Sequence, residues 1–240
     1  RKIMRNFLFS LALFSLFQIA NAEILEVYTW KPYPGKTDQL LLDMQEAASI
    51  HSGLGIGVSI NALGVGTAQD IDYVLRYDDL ASWGRLNDAA VNSPEWNAFV
   101  AKAGANPSAE LVSSFSLVNQ DPSNMADNFT DPGQVINAFR WNPASGQEGT
   151  NALRQGFLTA KAIHENLGAR VETYEINSSV DVGQMQYLMI YDSYSHMAEV
   201  NAAMATDPEW LAFQSSVAVA PEQAATLVWA IVASTIANWD

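Results

Sequence analysis

Four blocks of sequence occur twice in this 240-residue chain, in the same order. Each block keeps an aromatic residue, a histidine, a proline or a glycine at matching places; the pairs are 28–32 and 139–143, 51–55 and 164–168, 73–78 and 187–192, and 94–99 and 208–213. Ordered matches of this kind indicate an internal repeat, and both copies of a repeat adopt one fold. We therefore predict two units, 23–119 and 135–240, joined by a linker at 120–134 that is rich in Asp, Pro and Asn.

Each copy begins with a predicted strand and a predicted helix. The strands lie near 24–30 and 135–141. The helix has one apolar face with members three or four residues apart, which are Leu40, Met44, Ala47 and His51 in the first copy and Leu153, Phe157, Ala160 and His164 in the second. Glycines at 53 or 55, and at 168, end this helix, because glycine tolerates a left-handed cap.

Three more strands and a second helical region complete each copy. The strands are expected at 56–63, 72–77 and 111–118, and at 170–176, 185–191 and 226–233. A capping residue, a proline and an acid open the second helix at 93–95 and again at 207–209. The order β-α-β-β-α-β predicts an α+β, ferredoxin-like unit with helices on one face of an antiparallel sheet.

The other face of each sheet also needs a cover. Tyr73 and Tyr77 point to one side of their strand, whereas Val74 and Arg76 point to the other. In the second copy both sides of the matching strand are apolar. A sheet that is apolar on both faces is buried on both. We therefore expect the two antiparallel sheets to pair into one barrel-like body.

The early Trp-x-Pro…Gly turn, the Ser/Asp-Pro-Glu-Trp helix start and the order of elements resemble the dimeric α/β-barrel superfamily. The resemblance is to the NIPSNAP-like and antibiotic-biosynthesis-monooxygenase-like domains, and it covers both copies. In that group two ferredoxin-like units pair their sheets. Its members include cofactor-free oxygenases and haem-handling enzymes. The resemblance therefore implies a fold and leaves the activity open, since one fold serves many functions.

Residues 1–22 have the pattern of a secretory signal peptide. Basic residues come first, 7–20 are nearly all apolar, and Ala20-Asn21-Ala22 is a small-residue cleavage site. A membrane anchor is the alternative, but the apolar run of about 14 residues is shorter than the roughly 20 that a span needs. The mature chain is expected to begin at Glu23 and to be periplasmic or secreted, with no membrane segment after cleavage.

Composition excludes several classes of function. The net charge is −14, and a chain this acidic repels phosphate backbones, so no nucleic-acid partner is expected. There is no cysteine, which excludes disulfides, thiolate nucleophiles and cysteine-based metal sites. The three histidines lack metal-binding spacing, so no metal site is predicted.

Ten residues are candidates for a site. His51 and His164 end the helical stripes; the resemblance implies haem-binding or proton-transfer roles, and the alternative is that they complement the helix dipole. Six aromatic residues are candidates for an apolar ligand pocket or for core packing, and they are Trp30, Tyr73, Tyr77, Trp141, Tyr187 and Tyr191. Arg76 and Arg140 have no matching charge in the other copy; each is expected to hold an anionic group or to be exposed or paired.

Three functions stay open at this point. The first is an exported protein that binds a small apolar or aromatic molecule in a cavity in or beside the paired sheets. The second is a cofactor-independent oxygenase or a haem-handling enzyme, as the resemblance implies; the sequence itself requires no cofactor. The third is a structural protein without a ligand, which forms oligomers by self-association.

The signal segment generates a direct prediction. When the chain is produced in a host that recognises such signals, mass spectrometry should find Glu23 at the N-terminus, because cleavage follows the small residues at 20–22. Replacing Ala20 and Ala22 by bulky residues should block processing. An unprocessed wild-type chain in the membrane fraction would instead identify residues 1–22 as an anchor.

Overall fold

The computed structural model describes residues 21–67, 69–121, 130–220 and 222–239. The predicted signal segment, apart from its last two residues, and most of the predicted linker lie outside the described residues. No helix among the described residues has the length and apolarity that a bilayer crossing requires.

Both halves have the same order of elements. The first half contains β1 (Ile24–Pro32), α1 (Thr37–Gly53), β2 (Gly57–Leu63), β3 (Ile71–Tyr77), α2 (Leu80–Asn92), α3 (Pro94–Ala105) and β4 (Ala109–Asn119). The second half contains β5 (Val135–Pro143), α4 (Gly146–Asn166), β6 (Arg170–Ser178), β7 (Met185–Tyr191), α5 (Tyr194–Met204), α6 (Pro208–Ala218) and β8 (Ala225–Trp239).

The second helical region of each half is two helices, where the sequence had predicted one. Ser93 ends α2 with an extended backbone, and its side chain accepts a hydrogen bond from the Trp96 N–H to begin α3. Asp207 does the same for Trp210 at the start of α6. A proline follows each cap, and it suits the first helical position because it lacks the N–H that would have no partner there.

The eight strands form one closed antiparallel barrel. Its order is β1-β3-β2-β8-β5-β7-β6-β4, and β4 pairs with β1 to close it. Each half contributes four neighbouring strands, and the halves meet at two seams, β2 with β8 and β4 with β6. The predicted α+β class with an antiparallel sheet is confirmed. Duplication of one ancestral unit stays a prediction from the sequence.

Side chains alternate between the two faces of the barrel wall. Outward residues pack under the helices in two separate clusters, one in each half, such as Tyr73 against Met44 and Tyr187 against Phe157. Inward residues from both halves meet in the lumen, where Val27 of β1 packs with Ile176 of β6. The wall is therefore covered on both sides along much of its length, whereas residues 110–114 of β4 and 226–228 of β8 are exposed.

The two seams predict what an isolated half would do. Residues 23–121 alone would expose the pairing edges of β2 and β4 together with the inward apolar face, so the fragment should dimerise or aggregate. A symmetric dimer could rebuild the barrel from two identical halves.

Sedimentation equilibrium on this fragment, with residues 23–240 as the reference at the same molar concentration, measures the outcome. A soluble, stably folded monomer of 23–121 would contradict the view that each half needs the other.

Candidate functional site

One cavity lies between the helices and the sheet of the first half, and we call it the helix cavity. It has a volume of about 360 Å³. Its walls are mostly apolar and come from β1, β3, α1, α3 and the segment before β4; the larger members are Trp30, Leu40, Met44, Tyr73, Trp96 and Phe99. Two polar wall residues satisfy each other, since the Ser108 hydroxyl donates to Asp43 at 2.7 Å.

A histidine and a tyrosine form a buried hydrogen bond at this cavity. His51, in the last turn of α1, places Nδ1 2.7 Å from the hydroxyl oxygen of Tyr73 on β3. Trp96, from the first turn of α3, covers the His51 ring at a centroid distance of 4.3 Å. Tyr73 and Trp96 lie on the cavity wall, and His51 lies behind them.

The second half repeats this arrangement with one difference. His164 Nδ1 lies 2.8 Å from the hydroxyl oxygen of Tyr187, and the Trp210 ring is 4.5 Å from the His164 ring. Phe157 stands where the first half has Met44, and its ring contacts Tyr187 at 5.0 Å. The Phe157 ring therefore packs against Tyr187, whereas Tyr73, the counterpart of Tyr187 in the first half, lines the helix cavity.

Burial determines the protonation of these groups. Desolvation lowers the pKa of His51 and of His164 to about 4, so both rings are neutral at pH 7. Desolvation, with a smaller contribution from Tyr77, raises the pKa of Tyr73, whose hydroxyl keeps its proton. When Tyr73 donates to Nδ1, its oxygen lone pairs remain able to accept a hydrogen bond from a ligand.

The second cavity is the barrel lumen, with a volume of about 290 Å³. Inward residues of all eight strands line it, and its middle is apolar, with Val27, Val74, Ala138 and Leu188 among its members. Charged residues lie toward both ends.

One end of the lumen contains a paired charge cluster. Arg76 Nε lies 3.1 Å from a Glu23 carboxylate oxygen, and its Nη2 lies 3.7 Å from Glu172. Tyr174 donates to Glu172 at 2.8 Å, and Asn119 donates to Glu23 at 2.8 Å. Burial raises the pKa of Glu23, while the Arg76 charge opposes that rise. The chain's own carboxylates thus neutralise Arg76.

The other end of the lumen contains Arg140. Its guanidinium lies between two rings, 4.4 Å from the Phe115 centroid and 4.7 Å from the Trp229 centroid. Its Nη1 donates to Asp181 at 3.1 Å. Nearby, the Thr29 hydroxyl donates to Asp72 at 2.6 Å, and burial raises the pKa of Asp72 to about 6.

The structure separates the residues that the sequence grouped as one ligand-binding set. Trp30 and Tyr73 line the helix cavity, and Arg76 and Arg140 line the lumen. The remaining four aromatics pack outward in the helix-covered clusters, and they are Tyr77, Trp141, Tyr187 and Tyr191. The candidates therefore lie on two sides of the barrel wall, because neighbouring positions on a strand face opposite sides, and their role in ligand binding stays a prediction.

Several residues of these cavities were not singled out as ligand contacts from the sequence. Trp96, in the first turn of α3, covers the His51 ring. Phe115 and Trp229 come from the last strand of each half, and only barrel closure brings both to Arg140. Strand alternation predicts that Arg140 and Trp141, as neighbours on one strand, face opposite sides of the sheet.

A haem does not fit the residues around these cavities. Among the described residues, no histidine lies on the wall of the helix cavity or of the lumen. The Nε2 atom of His164 is buried without a partner, but it belongs to neither wall. The described part of the chain also has no group of three or more His, Cys, Asp or Glu side chains placed to hold a metal ion. We therefore derive no chemistry through a haem or a metal.

Comparison with known proteins identifies the fold. No family model and no curated protein matches the chain. A candidate monooxygenase from Fusobacterium nucleatum matches with a TM-score of 0.60 at 10% identity, covering 91% of this chain and 94% of that chain. An anthrone oxidase-like protein gives 0.55 at 10% identity, covering 92% and 94%. A candidate monooxygenase from Lactobacillus acidophilus gives 0.53 at 8% identity, covering 91% and 95%. At this level of identity the similarities show a shared fold alone, an α+β fold with one eight-stranded antiparallel sheet.

The buried histidines predict a pH dependence of stability. A histidine with a pKa of about 4 in the folded state and 6.5 in the unfolded state takes up its proton on unfolding, so stability falls as pH drops through this window. His164→Gln should flatten the dependence of the unfolding free energy by up to about 1.4 kcal/mol per pH unit between pH 5 and 6. Urea titrations at several pH values measure this slope.

Two comparisons make the result specific. Val200→Ala lowers stability in the same cluster without removing a titrating group, so its slope should equal that of the wild type. The raised pKa of Asp72 has the opposite effect on stability, because its contribution to the unfolding free energy is lost as pH rises from about 4 to 6. Asp72 is present in the wild type and in both variants, so its effect cancels when their slopes are compared. Identical slopes for wild type and His164→Gln would show that the folded histidine titrates normally.

Proposed function

We propose that this protein is a cofactor-independent oxygenase that binds a small, flat, mostly apolar molecule with an acidic hydroxyl in the helix cavity. One observation carries the proposal: Tyr73 lies on the wall of an apolar cavity, and its hydroxyl is hydrogen-bonded to a buried, neutral histidine. The similar folds described as candidate monooxygenases and as anthrone oxidase-like agree with it.

The walls suit an aromatic ligand. At about 360 Å³, the helix cavity is at the small end of the range of ligand pockets, roughly 300–1,000 Å³. Trp30, Trp96 and Phe99 supply aromatic wall surface for a flat ligand. Asp43 and Ser108 already bond to each other, so a ligand need not satisfy them. Tyr73 remains as the polar contact that orients a ligand hydroxyl.

The tyrosine–histidine pair gives a path for one proton. The ligand hydroxyl gives its proton to the Tyr73 oxygen while Tyr73 gives its own proton to His51 Nδ1. The ligand becomes an electron-rich anion, which can reduce molecular oxygen directly. The low pKa of free His51 opposes this step, but the anion formed beside it favours the protonated ring. For anthrol, the enol form of anthrone, the balanced reaction consumes one O₂ and gives anthraquinone and one water.

Binding without turnover is the second candidate, and the low pKa of His51 favours it. In that case the protein sequesters the same class of ligand in the same cavity. The predicted export signal would place either activity outside the cytoplasm. Both candidates expect one occupied cavity per chain, since Phe157 stands at the Met44 position in the second half.

Matched variants in the two halves test the proposal. Tyr73→Phe should lower oxygen consumption with anthrone or a naphthol by 100-fold or more, because the proton path is lost, while ligand affinity falls by less than about tenfold. Tyr187→Phe removes the equivalent hydroxyl of the second half and should change neither. Met44→Phe should abolish binding by filling the helix cavity.

An oxygen electrode and calorimetry on folded variants measure turnover, affinity and stoichiometry separately. Binding to wild type without oxygen uptake would leave the binding protein and exclude the oxygenase. Equal losses from Tyr73→Phe and Tyr187→Phe, with two ligands per chain, would contradict the assignment to the first half.

A further inference from the structure

The lumen contains a cationic residue that the helix-cavity function does not use. Arg140 on β5 holds the place that Thr29 holds on β1, because both lie one position before the repeated tryptophan. It pairs across the sheet with Gln186 and Trp229, as Thr29 pairs with Asp72 and Ser113. The two halves therefore differ at this end of the lumen.

The guanidinium of Arg140 is fixed in position and only partly hydrogen-bonded. It is 5% exposed, and the rings of Phe115 and Trp229 lie against it. Nη1 donates to Asp181, but the buried Nε and Nη2 atoms have no hydrogen-bond partner among the described residues. These two atoms form one edge of the guanidinium, and their N–H bonds are parallel. A buried charged donor without an acceptor is costly, so an acceptor that fits this edge is stabilised there.

We infer that the lumen binds a small monocarboxylate, with its carboxylate held by the Nε–Nη2 edge of Arg140 and its apolar part in the middle of the barrel. A planar carboxylate matches the spacing of two parallel N–H donors, and such bidentate pairs are the strong form of this interaction. Val27, Val74, Ala138 and Leu188 supply the apolar surroundings. The volume of about 290 Å³ limits the ligand to a short aliphatic or monocyclic aromatic acid.

The neighbouring acids predict how binding depends on pH. Asp72 and Asp70 lie on the lumen wall at this end, and Asp181 bonds Arg140 directly. At the far end, Arg76 is paired with Glu23 and Glu172. Asp72 has a pKa of about 6, so it is charged at pH 7.5 and repels an incoming carboxylate. Affinity for the carboxylate should therefore rise several-fold between pH 7.5 and 5.5, and Asp72→Asn should remove much of this dependence.

Carboxylates and their uncharged analogues test the inference. Benzoate and hexanoate should bind the full chain and raise its melting temperature, whereas benzamide and hexanamide should not. Arg140→Gln should weaken benzoate binding on the order of 10- to 100-fold, because two charge-assisted hydrogen bonds are lost. Arg85→Gln removes one positive charge from an exposed site and should leave the affinity unchanged.

Each outcome decides the inference. Arg140→Lys keeps the charge without the parallel donors and should also lose affinity, which covers the case in which the glutamine variant does not fold. If neither variant folds, the selectivity of the wild type for carboxylate over amide decides. Equal binding of benzoate and benzamide, unchanged affinity in a folded Arg140 variant, or no carboxylate binding at millimolar concentration would each show that Arg140 is only structural. Met44→Phe fills the other cavity, so loss of benzoate binding there would assign benzoate to the helix cavity and overturn the lumen site.

Discussion

Closure of the barrel across the two seams is the constraint on which the rest of the structure depends. Because β2 pairs with β8 and β4 with β6, the inward faces of both halves leave water together. That closure buries the Arg76 cluster, in which Glu23 precedes β1 and Glu172 lies on β6. Removing one partner of a buried ion pair typically costs about 3–5 kcal/mol. A slip of either seam would separate these partners, so the charges penalise incorrect registers.

The two helix-covered clusters show which part of the repeated arrangement is structural. Both halves keep the histidine–tyrosine hydrogen bond and the tryptophan that covers the ring. This arrangement stabilises the packing in both halves, because it joins the end of one helix, a strand and the start of another helix. The halves differ in one neighbour of this pair: Met44 and Tyr73 both line the helix cavity, whereas the Phe157 ring packs against Tyr187.

Much of the fold followed from the sequence, because its signals are local and occur twice. Period-two alternation located the strands, and the helical stripe placed His51 and His164 in the interior, where they are 4% exposed. The same alternation separates Arg76, on the lumen side of β3, from Tyr77, which packs under the helices. No local pattern could join Phe115, Asp181 and Trp229 to Arg140, because those contacts depend on the register of distant strands and on a loop.

One strand forms part of both cavity walls, and this determines how independent the cavities are. β3 turns Asp72 and Val74 into the lumen, and Tyr73 between them faces the helix cavity. Its backbone is held on both sides, by β1 and by β2. Two flanking ladders resist a rigid shift of the strand, which keeps the two cavities separate. A change that displaced the backbone at Asp72 would nevertheless move the Tyr73 hydroxyl relative to His51, because adjacent residues share a peptide plane.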